Sequence, residues 1–242
     1  FQTGLKIATL PGGSEMSMAG FANCRLGDVW REKNELSLAS EYLHKGIPQC
    51  EVLSQPDILT DAYICLARWK LAKGEIDETH EILDNAARVA QESKVDPWSL
   101  CWLDDCRIRA WQAAGDIESI FLWEQNCGLS FSDPLDFQQD LHHQNLARVL
   151  VVRNVIKKSS SGFENADRLL KRLQIAANLA GWVHEEIKIL VLKAINFAVN
   201  GFSKDAHQDL LQAAVLAQPG DYLRVFLDEG EILRELFSSI NE

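Results

Sequence analysis

Three arginines, Arg68, Arg109 and Arg148, recur 41 and 39 residues apart. A guanidinium can hold a carboxylate or phosphate through two parallel N–H···O bonds, so a regular series of them is a means of gripping anions. Between and beside them stand Trp102, Asp105, Gln112 and Gln144. An indole can stack on a sugar face or a peptide, and Asp with Gln can read hydroxyls. The set Arg68, Trp102, Asp105, Arg109, Gln112, Gln144 and Arg148 is therefore a candidate ligand or partner groove, if the fold brings it together. Two other uses stay open. The arginines can pair with Asp61, Asp105 and other carboxylates to hold neighbouring elements in register, or they can make a contact between copies.

Other chemistry-bearing types form no comparable set. His142 and His143 adjoin Asp140 and Asp136. A metal site on one helix face wants ligands at i, i+4, whereas adjacent histidines point about 100° apart. Asp136 and Asp140 have that spacing, but no third nitrogen ligand follows, so no metal is expected. The carboxylate pairs Asp104-Asp105, Glu185-Glu186 and Asp228-Glu229 read as solvated faces or helix-end charges. Neither a nucleophile elbow, a Cys–His signature nor a glycine-rich phosphate cradle is present, so no catalytic residue and no cofactor is assigned. The six cysteines (24, 50, 65, 101, 106, 127) contain no CxxC pair. They are expected as reduced, mostly buried thiols of a cytoplasmic protein.

The charge balance narrows the partners. Twenty-four Lys and Arg face 35 Asp and Glu, a net charge of −11, which repels the phosphate backbone that nucleic-acid binding must neutralise. No stretch approaches the roughly 18 consecutive apolar residues of a membrane span. The chain opens on Phe1 with no basic-then-apolar leader, as expected of a piece of a longer protein.

The elements that must position the candidate residues are helices. Apolar residues recur at helical spacing, as in Ile64, Ala67, Leu71 or Leu169, Leu170, Leu173, and no alternating Val/Ile/Thr run supports a strand. The prolines, at 11, 48, 56, 97, 134 and 219, read as punctuation between helices. Ser159-Ser160-Ser161-Gly162 reads as a flexible polar loop. Trp30-Asn34-Ala39-Leu43 can be laid over Lys70-Gly74-Thr79-Leu83, over Trp111-Gly115-Ile120, and more loosely over two later copies. A small residue at Gly27, Ala67, Ala147 and Ala194 lets paired helices approach closely, and Gly74, Gly115 and Gly201 end first helices in a left-handed conformation. The expectation is an all-α, right-handed superhelical solenoid of tetratricopeptide-like hairpins, forming one domain over 1–242. Its parts are a truncated hairpin at 1–12, hairpins near 14–55, 57–95, 97–130, 135–180 and 183–218, and a tail at 219–242. In such an array the first helices line a concave face, where Arg68, Arg109 and Arg148 would share one row. Trp30 and Trp111 take the consensus aromatic position of the core, whereas Trp69, Trp98 and Trp102 are candidates for exposed anchors.

Several segments carry a narrower likeness. Leu146-Ala-Arg-Val-Leu150, Phe163-Glu-Asn-Ala-Asp-Arg-Leu-Leu-Lys-Arg-Leu173 and above all Ala214-Val-Leu-Ala-Gln-Pro-Gly-Asp-Tyr-Leu-Arg-Val-Phe-Leu-Asp-Glu-Gly230 resemble the helical-repeat region of the large ATP-dependent LuxR-type transcription activators, the maltose-regulon activator family. Gly27–Leu36 also resembles a repeat of that region. In that family an NTPase module precedes the repeats and a helix-turn-helix DNA reader follows them. The resemblance therefore implies a sensor segment that is not itself an enzyme. It would receive a small-molecule inducer or regulatory protein, control self-association, and make no direct nucleic-acid or membrane contact. A plain protein-interaction scaffold is the alternative. The chain departs from the family at the Trp-rich stretch Cys101–Glu124 and at the lengthened turn Lys157–Gly162.

Overall fold

The computed structural model describes Thr3 and residues 18–135, 140–157 and 159–239. The rest of the hairpin expected at 1–12, and with it Pro11, as well as Asp136 and Lys158, lie outside the described residues. Among the described residues there are twelve α-helices and no strand, so the chain has the expected all-α class. Its helices pack in neighbouring pairs, as tetratricopeptide-like repeats do. They fall into two compact units, Phe1–Ile117 and Glu118–Glu242.

The first unit holds α1 (Ala19–Glu32), α2 (Leu36–Leu53), α3 (Pro56–Ala72), α4 (Ile76–Glu92) and α5 (Pro97–Ala114). Each first helix packs on its own second helix and on the next first helix: α1 on α2 and α3, α3 on α4 and α5. The α1–α2 pair is the closest. A Cβ on Gly27 would sit 2.7 Å from Leu43 Cγ, and one on Gly46 would sit 2.7 Å from Cys24 Sγ and 2.8 Å from the Gly20 carbonyl. The helix-to-helix turns repeat one geometry. Asn34 and Gly74 adopt φ of 63° and 78°, and the following N–H reaches back five residues, Glu35 to the Trp30 carbonyl (2.9 Å) and Glu75 to that of Lys70 (3.1 Å). A left-handed residue closing the helix in this way satisfies carbonyls that would otherwise be orphaned, and Asn tolerates the conformation better than most side chains.

Proline behaves as punctuation at Pro56 and Pro97, each the first residue of its helix, where the missing N–H costs nothing. The expectation fails at Pro48, which lies inside α2. There it removes the donor for the His44 carbonyl, a defect of roughly 3 kcal/mol in a free helix. The ring is exposed, while Gly46 and Cys50 on either side are buried against α1, so packing carries the helix through the defect.

The second unit contains most of α6 (Ile117–Asn126), with α7 (Asp140–Lys157), α8 (Ser160–Ala180), α9 (Val183–Val199), α10 (Ser203–Ala217), a 3-10 turn at Gln218–Gly220, α11 (Arg224–Leu227) and α12 (Glu231–Ser239). Helix α9 is its axis: Ile187 and every residue from Ile189 to Asn196 are buried, and α7, α8, α10, α11 and α12 all pack on it. A helix apolar on nearly all sides belongs in an interior. Ser159 to Gly162 do not form the expected loop. Ser159 is the cap of α8, accepting a hydrogen bond from Gly162 N at 3.1 Å, and the next three residues are its first turn. Ser is favoured at that position for its side-chain acceptor, which explains why a polar run begins a helix here.

Candidate functional site

In the first unit the candidate residues sit on first helices. Trp102, Asp105, Arg109 and Gln112 follow one another along one side of α5, and Arg68 lies on α3. These spacings of three, four and three residues keep them on a common face. The guanidinium of Arg25, on α1, lies 4.0 Å from the centroid of the half-buried Trp102 ring. Such a cation–π contact is worth about 0.5–1 kcal/mol at an open site and more where water is excluded.

Around this contact the charges alternate. Arg68 donates to Asp28 at 2.6 Å, linking α3 to α1, and lies 3.6 Å from Glu32. Arg31, almost fully buried, bonds Asp28 at 2.9 Å and also Glu32. Burial alone would raise the Asp28 carboxyl, but Arg68 and Arg31 outweigh it and hold it below the usual carboxylate range. Arg109 pairs within its own helix, with both oxygens of Asp105 at 3.1 and 3.2 Å. Asp61 accepts from Ser99 Oγ at 2.8 Å, joining α3 to α5, yet burial still pushes its carboxyl upward. Cys65 and Cys106 are buried beneath the same residues, and burial pushes both thiols up to about 12. Neither supplies a thiolate nucleophile near neutral pH.

Gln144 and Arg148 lie one turn apart on α7, in the second unit. The Gln144 Oε1 is buried with no hydrogen-bond partner. Arg148 makes a two-pronged pair with Glu229, at 2.8 and 2.6 Å, with side-chain exposures of only 4 % and 3 %. Glu229 follows α11, so the closing segment of the chain is fastened to α7 across 81 residues. This corrects the reading of Glu229 as a solvated or helix-end charge: it is the buried counter-ion of Arg148. Each of the three recurring arginines is thus engaged with a carboxylate, and each takes it from a different place.

Other expectations are revised by burial. Trp69 is not an exposed anchor, because it is enclosed by the α1–α3 packing and its indole N–H donates to the Leu36 carbonyl at 2.9 Å. Trp98 is open on the surface. Five of the six cysteines are buried, Cys127 is half-buried, and none is bridged. Among the described residues no group of three His, Cys, Asp or Glu could hold a metal ion. His142 instead packs edge-on against Trp123 of α6, with ring centroids 5.8 Å apart.

Two participants were missed by sequence reasoning. Arg25 lies off the positions expected to face inward, but a long cation one residue from such a position can reach a neighbouring aromatic. Glu229 sits inside the segment most specific to the resembled family, and that specificity was its only signal. No described helix is long and apolar enough to cross a membrane. Comparison with curated proteins gives no match. The helical pairs, their left-handed turns and the closing segment agree with the family whose model matches residues 1–242, and the chain belongs to the MalT-like TPR region family.

Proposed function

We propose that this chain is the sensor and regulatory segment of a LuxR-type transcription activator. A small-molecule inducer or a regulatory protein binds along the first helices of the repeats. Binding favours one arrangement over another and so changes which surface is free for self-association, biasing an attached NTPase module toward assembly. The segment acts by differential binding in the cytoplasm, with no cofactor and no chemistry of its own. Reading DNA falls to another module, in keeping with the net charge of −11 on this one.

The observation that carries this reading is the half-buried Trp102 ring with the Arg25 guanidinium 4.0 Å above it, beside Asp105, Arg109 and Gln112. A ligand that replaces Arg25 on the ring gains an aromatic platform and meets the displaced cation at its edge. Calorimetry against sugars and small metabolites, read together with tryptophan emission, tests it. Saturable binding with an emission change that disappears in Trp102→Ala supports a sensor.

A second reading, a scaffold that binds only protein, is favoured by exposed aliphatic pairs on second helices. Ile175 and Leu179 on α8, and Leu211 and Val215 on α10, each lie one turn apart and face solvent. Exposed apolar patches of this kind mark protein contacts. Silence toward every small ligand, with saturable binding of a purified protein partner that is lost when these four residues become Ser, would favour it.

A further inference from the structure

Cys24 on α1 and Cys50 on α2 face one another with their sulfurs 3.9 Å apart. Two glycines make that approach possible. A Cβ on Gly20 would lie 2.9 Å from Cys50 Sγ, and one on Gly46 would lie 2.7 Å from Cys24 Sγ, so each sulfur is seated in a notch of the opposite helix. The pair lies near the open end of the first hairpin, five residues after α1 begins and three before α2 ends. Helix ends open locally at little cost, and this is the route by which a small oxidant reaches buried thiols.

We propose that Cys24 and Cys50 form a reversible disulfide that clasps the open end of the α1–α2 hairpin when the protein meets hydrogen peroxide. The Cys50 thiolate attacks one peroxide oxygen, the O–O bond breaks, and hydroxide leaves, giving a sulfenic acid on Cys50. The Cys24 sulfur then displaces the hydroxyl. The S–S bond forms, the S–O bond breaks, and water departs with the Cys24 proton. In sum two thiols and one peroxide give one disulfide and two waters, the sulfurs losing two electrons and the peroxide gaining them. Cys50 is the first to react because the hydrogen bond between the two sulfurs holds its thiol below the ordinary value, while the same bond and burial push Cys24 up. The sulfurs must close from 3.9 Å to about 2.05 Å, a movement shared between two side chains.

The other buried thiols provide the contrast. Cys65 belongs to the same cluster of buried residues as this pair, and Cys101 and Cys106 lie on one helix five residues apart. Burial pushes each of these three thiols up, whereas the Cys24 and Cys50 sulfurs already lie within hydrogen-bonding distance of one another. Selective bridging of Cys24 to Cys50 is therefore the specific expectation.

The experiment treats the folded full chain with hydrogen peroxide at low protein concentration, blocks remaining thiols in denaturant, digests, and maps linked peptides by mass spectrometry. The half-buried Cys127 reports that the oxidant was active. The expected result is a Cys24–Cys50 linked peptide that a dithiol reverses, with a melting temperature about 5 °C higher in the oxidised form. Cys50→Ser abolishes both changes. Oxidation of Cys127 while Cys24 and Cys50 stay reduced overturns the proposal, and so does a Cys24–Cys65 link in their place.

Discussion

Arg68 and Arg148 align at one repeat position in the sequence but lie in different units, and their surroundings differ. The Arg68–Asp28 pair joins two adjacent first helices with side-chain exposures of 20 % and 14 %, and Asp28 is shared with Arg31. The Arg148–Glu229 pair is sealed at 4 % and 3 %, and its carboxylate comes from the end of the chain. Water competes for the first pair and hardly reaches the second. An arginine whose counter-ion is shared and wetted can exchange partners, whereas one that is sealed serves as a latch. A repeated residue therefore need not mean a repeated role, and the ligand-binding reading rests more securely on the first unit than on the second.

The largest test of this contrast removes the latch. Arg148→Ala strands Glu229 in the interior and is expected to cost about 3–5 kcal/mol by urea unfolding, whereas Arg68→Ala costs about 1 kcal/mol or less. Pairing Arg148→Met with Glu229→Leu recovers most of the loss, because removing both charges leaves nothing unpaired. Equal costs for the two alanine variants would erase the distinction.

A second test uses acid. Burial would raise the Glu185 carboxyl, but Lys188 and His184 outweigh it and hold it at about 2. A carboxyl depressed in the folded state adds stability that is present above its unfolded value, near 4.5, and is lost as pH falls toward 2. The loss is at most about 3 kcal/mol. Glu185→Gln flattens the stability profile in that window, and an unchanged profile would count against the pairing.

The third test concerns packing in the first unit alone. Gly46→Ala drives a methyl against Cys24 Sγ and the Gly20 carbonyl, and should destabilise by about 1–3 kcal/mol. Gly74→Ala meets no neighbouring atom, so any cost there comes from its φ of 78° and stays near 1 kcal/mol. The smallest effect belongs to Arg25→Ala, about 0.5–1 kcal/mol in stability. Its tryptophan emission should shift as the Trp102 ring becomes more exposed, and an unmoved spectrum would show the contact is not populated.

Much of the fold was legible because its signals are local. Apolar spacing names the helices, Gly74, Gly115 and Gly201 mark turns, and Gly27 marks the close α1–α2 approach. What stayed hidden depended on partners far along the chain. Glu229 looks like any acidic residue until its counter-ion 81 residues earlier is known. Trp69 looks spare until the Leu36 carbonyl arrives to accept its N–H. Pro48 violates a local rule because contacts with α1 override it, and Ser159 is a cap that a polar run disguises as a loop. At the candidate site the α5 residues could be grouped from spacing, while Arg25 could not, since its reach depends on how α1 packs.

The burial of α9 on nearly all sides has a consequence for how the protein is made. When residues up to Val199 have left the ribosome, this helix can lean on α7 and α8, but the sides later taken by α10, α11 and α12 are still bare. Until Leu210, Val225 and Leu233 arrive to cover it, the nascent chain offers a long aliphatic strip to chaperones and to other nascent chains. Ribosome-bound chains stalled with residues up to about 200 clear of the exit tunnel should hold a chaperone that chains with residue 239 clear of it release.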